Sequence, residues 1–288
     1  MDEAIKERLI NSYQVDGGFI VHTAEQLKLI YDAYGIDPKK SIDRRLFDLE
    51  SLAHFFQSGV LSLFEKLEIT DKDLVLSAGE GNGSPSRLLA KVKGCKIICV
   101  DINPDQVQKA KECSFLHGVS GLVDYRLQNV EELNIPEKNF TKAYFNETSG
   151  HWQFKEKAFL AIRDHLVTGA KIGFNEWLSG DIGDLNDAYF KVKDFNYVYE
   201  SGIFFQNTIA EYKDMLEKCG FKLIYSEDCT DRVDRKMRAR LIEIDMKKNP
   251  YGVVMGEEAV EIGRRYYRVM IDAAYSYVRY GVIIAEKI

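Results

Sequence analysis

The sequence predicts an α/β protein built on a mostly parallel seven-stranded sheet with helices on both faces. Three observations carry this prediction. Short apolar runs typical of buried strands alternate with helical patterns. The glycine-rich turn Gly79–Gly83 follows one such run directly, and Asp101 ends the next, 22 residues after Gly79. Because ligands bind at the carboxyl ends of strands in open α/β sheets, the turn and the aspartate predict a ligand site at that edge.

Composition narrows the range of functions. The chain has 288 residues, of which 45% are hydrophobic, and a net charge of -6. That length fits one α/β domain with extra helices. The acidic balance gives no basic footprint for nucleic acid, and no run of 18 apolar residues occurs that would predict a membrane anchor. The charged start of the chain lacks the apolar segment of a signal peptide. We expect a cytoplasmic protein that acts on a small molecule, and homo-oligomerisation stays open.

The cysteines predict free thiols. They are Cys95, Cys99, Cys113, Cys219 and Cys229. Their number is odd and none form a Cys-x-x-Cys pair, so neither a disulfide framework nor a zinc knuckle is indicated. No cluster of histidine and cysteine suggests a transition metal, and the sequence therefore predicts no metal held by the protein itself.

Residues 1–65 predict an N-terminal helical cap, and residues 66–288 the α/β domain. Near the end of the cap, apolar residues recur at spacings of three and four, as on one face of a helix: Leu49, Leu52, Phe56, Val60, Leu63 and Leu67. Segments 178–205 and 230–274 interrupt the strand–helix rhythm. We interpret them as insertions that cover the carboxyl ends of the strands.

The strands and helices of the domain follow in order along the chain. The predicted strands are Leu74–Leu76, Lys96–Val100, Val123–Leu127, Thr141–Phe145, Ala170–Trp177, Lys222–Ser226 and Tyr277–Ala285. The predicted helices between them are Ser84–Val92, Pro104–Leu116, one that closes at His165, and Asn207–Gly220, which ends on glycine.

The glycine turn indicates the kind of cofactor. Glycines at Gly79, Gly81 and Gly83 permit tight backbone angles and close approach of a ligand, and Asp101 can bind ribose hydroxyls. The spacing is not the Gly-x-Gly-x-x-Gly expected for a pyrophosphate. Glu80 would oppose a pyrophosphate but can tolerate a cofactor's amino group. These points favour S-adenosylmethionine over NAD, and an NAD-dependent dehydrogenase is kept as the remaining alternative.

Over roughly residues 45–230 the chain resembles class I S-adenosylmethionine-dependent methyltransferases. Leu74–Gly83 resembles their first motif, except at Glu80; Val100-Asp101 resembles the ribose-binding acid, and Gln128–Leu133 the segment beside the adenine, with Asn129 where many relatives have aspartate. The resemblance implies a Rossmann-like fold. We expect Tyr13 to close over the cofactor. The expected cofactor-binding residues are Tyr13, Ala78, Gly79, Glu80, Gly81, Gly83, Asp101, Ile102, Gln106, Asn129, Val130, Glu131 and Asn146.

A second resemblance concerns the methyl acceptor. Asn146-Glu147-Thr148 resembles the Asn-Glu-Ser segment of geranyl diphosphate C-methyltransferases, in which the glutamate lies near a developing cation. Sterol 24-C-methyltransferases also carry a glutamate there, and Gly83–Arg87 resembles sterol and tocopherol methyltransferases. The implied reaction is C-methylation of an isoprenoid, either a prenyl diphosphate or a related alkene. Such a reaction leaves a carbocation, which needs a negative charge, aromatic faces and a base.

These patterns give candidate residues for the acceptor site. Glu147 and His151 are the catalytic candidates, although Glu147 can instead bind the cofactor's amino end. Arg235, within the basic run 232–240, is a candidate clamp for a diphosphate, which would bring Mg²⁺ with it; a solvated helix face is the other interpretation of that run. The remaining candidates for substrate binding are aromatic: Trp152, Trp177, Phe204 and Tyr277.

Two further functions stay open at the level of sequence. One is O- or N-methylation of a small natural product or metabolite, with His151 as the general base. The other is a non-catalytic protein that keeps the cofactor-binding fold, for which the unusual Glu80 and Asn129 are the only support.

Overall fold

The computed structural model describes residues 1–13, 23–40, 56–182, 185–198, 202–245 and 250–288. Within these ranges the helices are α1 (Glu3–Ser12), α2 (Ala24–Tyr34), α3 (Phe56–Lys66), α4 (Ser84–Lys93), α5 (Pro104–Leu116), α6 (Lys155–His165), α7 (Leu185–Lys191), α8 (Phe195–Val198), α9 (Ile209–Lys218), α10 (Thr230–Asp245) and α11 (Pro250–Ala273). The strands are β1 (Leu74–Ala78), β2 (Lys96–Asp101), β3 (Val123–Leu127), β4 (Phe140–Asn146), β5 (Leu166–Ser179), β6 (Phe221–Asp228) and β7 (Val278–Lys287).

The described strands form one seven-stranded sheet in the order β3-β2-β1-β4-β5-β7-β6. Neighbours from β3 to β5 pair in parallel, whereas β7 runs antiparallel to both β5 and β6. The predicted fold, a mostly parallel Rossmann-like sheet, is confirmed. Because β1, β2, β4 and β5 are parallel, their carboxyl ends meet at one edge of the sheet.

The hydrophobic core lies on both faces of this sheet. Side chains alternate along each strand, so Val75 and Tyr144 belong to one buried cluster, while Leu76 and Phe145 belong to the other. Strands buried on both sides appear in sequence as continuous apolar runs, as Leu74–Ala78 does. This continuous pattern made the central strands predictable.

The predicted helices and strands lie where the structure has them, and some of their end residues differ. β5 extends beyond the predicted Ala170–Trp177 at both ends, since Leu166 pairs with Phe140 of β4 and Ser179 pairs with Val278 of β7. The cysteines are all buried free thiols. None of the described helices combines the length and the hydropathy needed to cross a membrane. Leu49 and Leu52, part of the predicted cap helix, lie outside the described residues, and the domain boundary at residue 65 stays a prediction.

Helix α1 lies across the carboxyl edge of the sheet. The side chain of Asn103 donates to the Ile10 carbonyl at 3.3 Å, and that of Gln106 donates to the Tyr13 carbonyl at 3.0 Å. Both donors stand at the start of α5, directly after β2. The end of α1 is therefore fixed beside Asp101, over the edge where the glycine turn lies.

Gly83→Ala is expected to destabilise the fold more than Gly94→Ala. Both glycines have positive φ, 79° and 72°, which costs any other residue about 1–2 kcal/mol. At Gly83 an added Cβ would also lie 2.6 Å from the Tyr125 hydroxyl oxygen and 2.9 Å from the Ala110 Cβ, whereas at Gly94 nothing lies within 4 Å. Overpacking adds about 1–3 kcal/mol at Gly83 alone. Denaturant unfolding measures both values; equal losses would contradict the packing argument.

Candidate active site

A cavity opens at the carboxyl edge of the sheet, beneath α1. Its wall comes from the carboxyl ends of β2 and β5, from the residues that follow β1, β3 and β4, and from α1, with Phe204 and Tyr266 added from later in the chain. Most of the predicted site residues meet here: Tyr13, Gly79, Glu80, Gly81, Asp101, Ile102, Gln106, Asn129, Val130, Asn146, Glu147, His151, Trp152, Trp177 and Phe204. The two segments that we interpreted as insertions, 178–205 and 230–274, contribute Phe204 and Tyr266 respectively.

The first glycine of the turn allows a close contact between β1 and β4. A Cβ on Gly79 would lie 1.9 Å from the Thr148 Cγ2, so only glycine fits. The Thr148 hydroxyl donates to the Gly79 carbonyl at 2.8 Å. Thr148 follows Glu147, and the contact therefore holds the glycine turn against the predicted catalytic segment.

Asp101 connects the glycine turn to the end of β2. Its carboxylate accepts the Gly81 amide at 2.8 Å and the Asn103 amide at 2.9 Å. Burial raises the pKa of Asp101, and these backbone donors oppose that rise. A carboxylate fixed in this way on the cavity wall suits the hydroxyls of a ribose.

The expected contact of Glu80 with a cofactor's amino group is not what the structure has. The carboxylate turns into the protein, where it accepts the Ser86 amide at 2.7 Å, the Tyr144 hydroxyl at 3.1 Å and the Ser77 hydroxyl. Glu80 is 7% exposed, and burial raises its pKa. The residue therefore caps the start of α4, satisfying an amide that helix geometry leaves without a partner.

Two buried polar atoms on the wall suit a polar ligand. Among the described residues, neither the Gln106 Oε1 nor the Asn146 Nδ2 has a hydrogen-bond partner. The other polar atom of each side chain is hydrogen-bonded and orients it. The Gln106 Nε2 donates to the Tyr13 carbonyl, and the Asn146 Oδ1 accepts the side-chain N–H of Asn175 at 2.8 Å. Buried polar groups are rarely left unpaired, so an acceptor and a donor here fit a cofactor that has both kinds of group.

The remaining predicted cofactor residues divide between wall and support. Asn129 and Val130 lie on the wall, and the side-chain oxygen Oδ1 of Asn129 accepts the Glu131 backbone N–H at 3.0 Å. Three predicted contacts lie outside the wall. Ala78 is fully buried in the core, Gly83 is enclosed by Tyr125, and the Glu131 carboxylate accepts the Phe154 amide at 3.1 Å. These three residues lie behind the wall and pack against the residues that form it.

Glu147 is held in a strained backbone conformation at the end of β4. Its φ is 51°, in the left-handed region that few residues other than glycine adopt, and its amide donates to the Asn175 carbonyl at 2.8 Å. One carboxylate oxygen accepts the Tyr280 hydroxyl at 2.7 Å and the other accepts the Trp177 indole N–H at 3.1 Å. Such strain persists where the surroundings over-determine it, often at functional sites.

A second carboxyl group on the wall, that of Glu176, is not among the residues predicted from the sequence. It is 2% exposed and lines the same cavity. It accepts the Ser149 hydroxyl at 2.7 Å, the Gly150 amide at 3.0 Å and the Trp177 amide at 2.9 Å. Burial, with the nearby charge of Glu147, raises the pKa of Glu176 to about 7. The sequence did contain a signal for this residue, because Glu176 is an acid within the apolar run of β5.

His151 has both ring nitrogens engaged. Because the Ile203 carbonyl can only accept, Nδ1 at 2.9 Å carries the proton. Nε2 then accepts the Tyr13 hydroxyl at 2.9 Å. Burial lowers the pKa of His151 to about 4. The imidazole is neutral, but its lone pair at Nε2 already accepts a hydrogen bond, so His151 does not fit the expected role of general base. His151 instead fixes Tyr13 over the cavity.

Tyr13 lies on the cavity wall, and its closing over a bound cofactor stays a prediction. Its ring meets the His151 ring edge to face, with centroids 5.6 Å apart. Desolvation raises the pKa of Tyr13, and the Glu147 and Glu176 carboxylates raise it further. The hydroxyl therefore stays protonated and donates.

Aromatic side chains form much of the rest of the wall. The rings of Trp177 and Tyr280 stand perpendicular, 4.9 Å apart, and Phe204 lies 4.6 Å from His151. Tyr266 was not predicted because α11 lies far away in sequence. Tyr277 is a wrong prediction: it lies in the core cluster, 6% exposed and off the cavity wall.

Arg235 is also wrongly predicted as a substrate clamp, because it lies on the exposed face of α10. Its neighbours in the basic run are paired with acids: Arg232 with Glu227 at 2.6 Å and Arg238 with Asp234 at 2.8 Å. Among the described residues no lysine or arginine lines the cavity. Nor does that part of the chain contain three acidic, histidine or cysteine side chains grouped to hold a metal ion.

Comparison with known proteins agrees with this geometry. Residues 76–174 match the family model of a methyltransferase domain. The sterol 24-C-methyltransferase of Saccharomyces cerevisiae is 28% identical over 190 residues, which cover 66% of this chain and 50% of the relative. The chain thus spans about half the length of the curated relatives it matches.

Two solved structures share the fold. Phosphoethanolamine N-methyltransferase 2 of Haemonchus contortus, in complex with phosphomonomethylethanolamine and S-adenosylhomocysteine, gives a TM-score of 0.77 at 15% identity, over 98% of this chain and 60% of that chain. Geranyl diphosphate C-methyltransferase from Streptomyces coelicolor A3(2), in complex with Mg²⁺, geranyl-S-thiolodiphosphate and S-adenosylhomocysteine, gives 0.67 at 13% identity, over 99% and 98%.

Residues 76–174 thus match a methyltransferase domain, and the fold is shared with solved methyltransferases. The matched residues run from β1 through the first part of β5 and thus include the glycine turn, Asp101 and Glu147. The resemblance inferred from the sequence motifs is confirmed. What such a domain does in this chain depends on the acceptor side of the cavity, which segments outside residues 76–174 help to form.

Asp101→Asn is expected to weaken binding of S-adenosylhomocysteine to this methyltransferase domain by about 10- to 100-fold, the value of one charged hydrogen bond. Titration calorimetry measures the affinity. Asp105→Asn is the matched control, since Asp105 is exposed four residues along the chain. If the affinity of Asp101→Asn lies within about twofold of the wild type, the change in binding free energy is well below that of one hydrogen bond, and a contact of Asp101 with the cofactor is excluded.

His151 predicts a loss of stability in acid. Between a pH of about 6.5 and about 4, the unfolded state binds a proton at this histidine and the folded state does not. Stability therefore falls as pH falls through that window, by an amount on the order of 3 kcal/mol. In His151→Gln this contribution disappears. Denaturant unfolding of both proteins from pH 7 to pH 4 measures the difference, and parallel pH curves would contradict a buried neutral imidazole.

Proposed function

We propose that this protein transfers the methyl group of S-adenosylmethionine to a carbon atom of an isoprenoid-type alkene. The relative in Saccharomyces cerevisiae is a sterol 24-C-methyltransferase, and the neighbour from Streptomyces coelicolor is a geranyl diphosphate C-methyltransferase. Both names describe methylation of carbon. Because the chain spans half of that sterol relative, its activity and its acceptor are argued from the cavity.

The observation that carries the proposal is the Glu147 carboxylate. It lies at the end of β4 between the Tyr280 hydroxyl and the Trp177 indole N–H, inside a wall rich in aromatic rings. When bound, S-adenosylmethionine supplies an electrophilic methyl group, and its transfer to an alkene leaves a positive charge on the acceptor. A fixed carboxylate and aromatic faces stabilise such a charge without reorganising.

The residues of the chain have distinct tasks in this proposal. Gly79, Gly81 and Asp101 hold the cofactor, and the unpartnered atoms of Gln106 and Asn146 add a hydrogen-bond acceptor and a donor. Trp177 and Tyr280 orient the Glu147 carboxylate. Tyr13, fixed by His151, covers the cavity and excludes water, which would otherwise capture a carbocation.

The charge of the cavity favours an uncharged acceptor over a prenyl diphosphate. The carboxyl groups of Asp101, Glu147 and Glu176 line it, while no lysine or arginine among the residues described does so. Carboxylates repel a diphosphate unless cations lie between them, and the basic run of α10 is exposed or paired. Mg²⁺ belongs to the proposal only if a diphosphate is the acceptor.

O- or N-methylation with His151 as the base is the weaker alternative. Its lone pair is occupied by Tyr13, and a pKa near 4 makes the ring a poor base at neutral pH. A cytoplasmic location and a small-molecule acceptor remain part of the proposed function, and homo-oligomerisation stays open.

Glu147→Gln is expected to lower methyl transfer by about 10²- to 10³-fold, as loss of one preorganised electrostatic contact does, while S-adenosylhomocysteine affinity changes less than about threefold. Formation of S-adenosylhomocysteine with each acceptor measures the rate, and calorimetry the affinity.

The matched control is Glu132→Gln, which removes an exposed carboxylate outside the cavity. Its rate should equal that of the wild type. If Glu147→Gln is as active as this control, Glu147 has no part in the reaction. If its affinity for the cofactor falls in parallel with the rate, Glu147 binds the cofactor's amino end instead.

The acceptor is identified by calorimetry with S-adenosylhomocysteine present. Geranyl diphosphate with Mg²⁺ is compared with desmosterol, an uncharged sterol with a side-chain alkene. We expect binding of the sterol and weak or no binding of the diphosphate. Tight binding of the diphosphate would reverse the preference drawn from the charge of the cavity.

A further inference from the structure

Glu176 and Glu147 occupy adjacent positions on neighbouring strands. In the β4–β5 register Asn146 pairs with Asn175, and each glutamate follows directly after its asparagine. Both line the cavity, and the proximity of the Glu147 charge contributes to the shift at Glu176. The proposed function uses only Glu147, so a second buried carboxyl group beside it has no task.

The two carboxyl groups have different surroundings. Glu147 is half-buried and receives side-chain donors from two strands, β5 and β7, one on each oxygen. Glu176 is nearly inaccessible, and its donors are the Ser149 hydroxyl and two amides. Pairs of carboxyl groups in different environments commonly divide acid–base tasks, one staying ionised while the other exchanges a proton.

A hydrogen-bonded chain behind Glu176 allows it to change protonation without moving. Ser149 donates to the Glu176 carboxylate, so Ser149 accepts from the Tyr212 hydroxyl at 2.8 Å. If Glu176 gains a proton, it can donate that proton to the Ser149 oxygen, because the Ser149 hydroxyl can rotate while Tyr212 keeps its bond to Ser149. A purely structural carboxylate needs no such reversible partner.

We propose that Glu176 is the base that removes a proton from the methylated acceptor, while Glu147 stays ionised and stabilises the cation. This inference rests on the proposed function. The bond between a hydrogen and a carbon next to the cationic carbon breaks. Its electron pair forms the new alkene, and the proton passes to the Glu176 carboxylate. The product is neutral, and the carboxylic acid releases its proton to solvent before the next cycle.

A base suited to neutral pH must have a pKa close to it, and that of Glu176 is raised to about 7. The groups that act on it come from several elements. Glu147 raises the pKa of Glu176, and the Ser149 hydroxyl and two backbone amides lower it. Lys155 on α6, whose own pKa is lowered to about 8, and the phenols Tyr13, Tyr212 and Tyr280 also interact with Glu176.

The test separates methyl transfer from proton loss. Wild type, Glu176→Gln and Glu147→Gln are incubated with S-adenosylmethionine and desmosterol. S-adenosylhomocysteine reports the first step, and the ratio of methylated alkene to methylated alcohol reports the second, since water captures a cation that is not deprotonated. In Glu176→Gln we expect alkene formation to fall about 10²-fold or more, the usual value of a general base, while S-adenosylhomocysteine formation falls less than about tenfold.

The pH profile gives a second signature. Because Glu176 must be ionised to accept a proton, alkene formation in the wild type should rise through a pH of about 7 and then level off. In Glu176→Gln the rise disappears, and in Glu176→Asp alkene formation is partly restored. A structural role would lower both steps equally and leave the alkene-to-alcohol ratio and the pH profile unchanged, which would overturn the proposal.

An infrared titration tests Glu176 without turnover. With S-adenosylhomocysteine bound, a protonated carboxyl band should develop in the wild type as pH falls through about 7 and be absent from Glu176→Gln. In Glu147→Gln the band should develop at lower pH than in the wild type, because one charge that raises the Glu176 pKa is gone. A band that persists in Glu176→Gln, or develops only near pH 4.5, overturns the assignment. If the wild type methylates neither desmosterol nor geranyl diphosphate, the proposed function fails, and the titration alone then decides whether Glu176 is poised to exchange a proton.

Discussion

The burial of carboxyl groups at one edge of the sheet is the constraint on which the site depends. A buried carboxylate is costly unless donors satisfy it. Each one here has its own donors: Asp101 receives two amides, and Glu147 a phenol and an indole. Glu80 and Glu176 receive hydroxyls as well as amides. The donors come from neighbouring strands and from the turns after them, so satisfying the carboxyl groups also joins the elements that form the cavity.

The same arrangement separates a cofactor side from an acceptor side. Glycines and Asp101 follow β1 and β2, where backbone groups can approach a ligand closely. Glu147 directly follows β4 and Glu176 lies near the end of β5, and both line a cavity whose wall includes the rings of Trp177, Phe204 and Tyr266. Thr148 joins the two sides through its bond to the Gly79 carbonyl. A charge that develops on an acceptor in this cavity would therefore meet fixed carboxylates.

His151 illustrates how a residue type can suggest the wrong task. A histidine after a strand that leads into an active site is a reasonable general base, and sequence cannot tell whether its nitrogens are free. Here burial disfavours the charged ring, and partners on both sides occupy the nitrogens. The ring therefore links α1 to the loop at Ile203. Tyr277 and Arg235 failed for a related reason: a helix or strand pattern does not say which face meets the cavity.

Local sequence patterns were enough to predict the sheet, the glycine turn, Asp101 and the Glu147 segment. These are local patterns: continuous apolar runs give buried strands, a positive φ requires glycine, and parallel strands bring their carboxyl ends to one edge. The remaining features depend on tertiary contacts. These contacts turned Glu80 inward, brought Tyr280 onto the Glu147 carboxylate and Tyr266 onto the cavity wall, and set Glu176 beside Glu147. Those contacts join residues far apart in sequence, and their partners and burial exist only once the chain has folded.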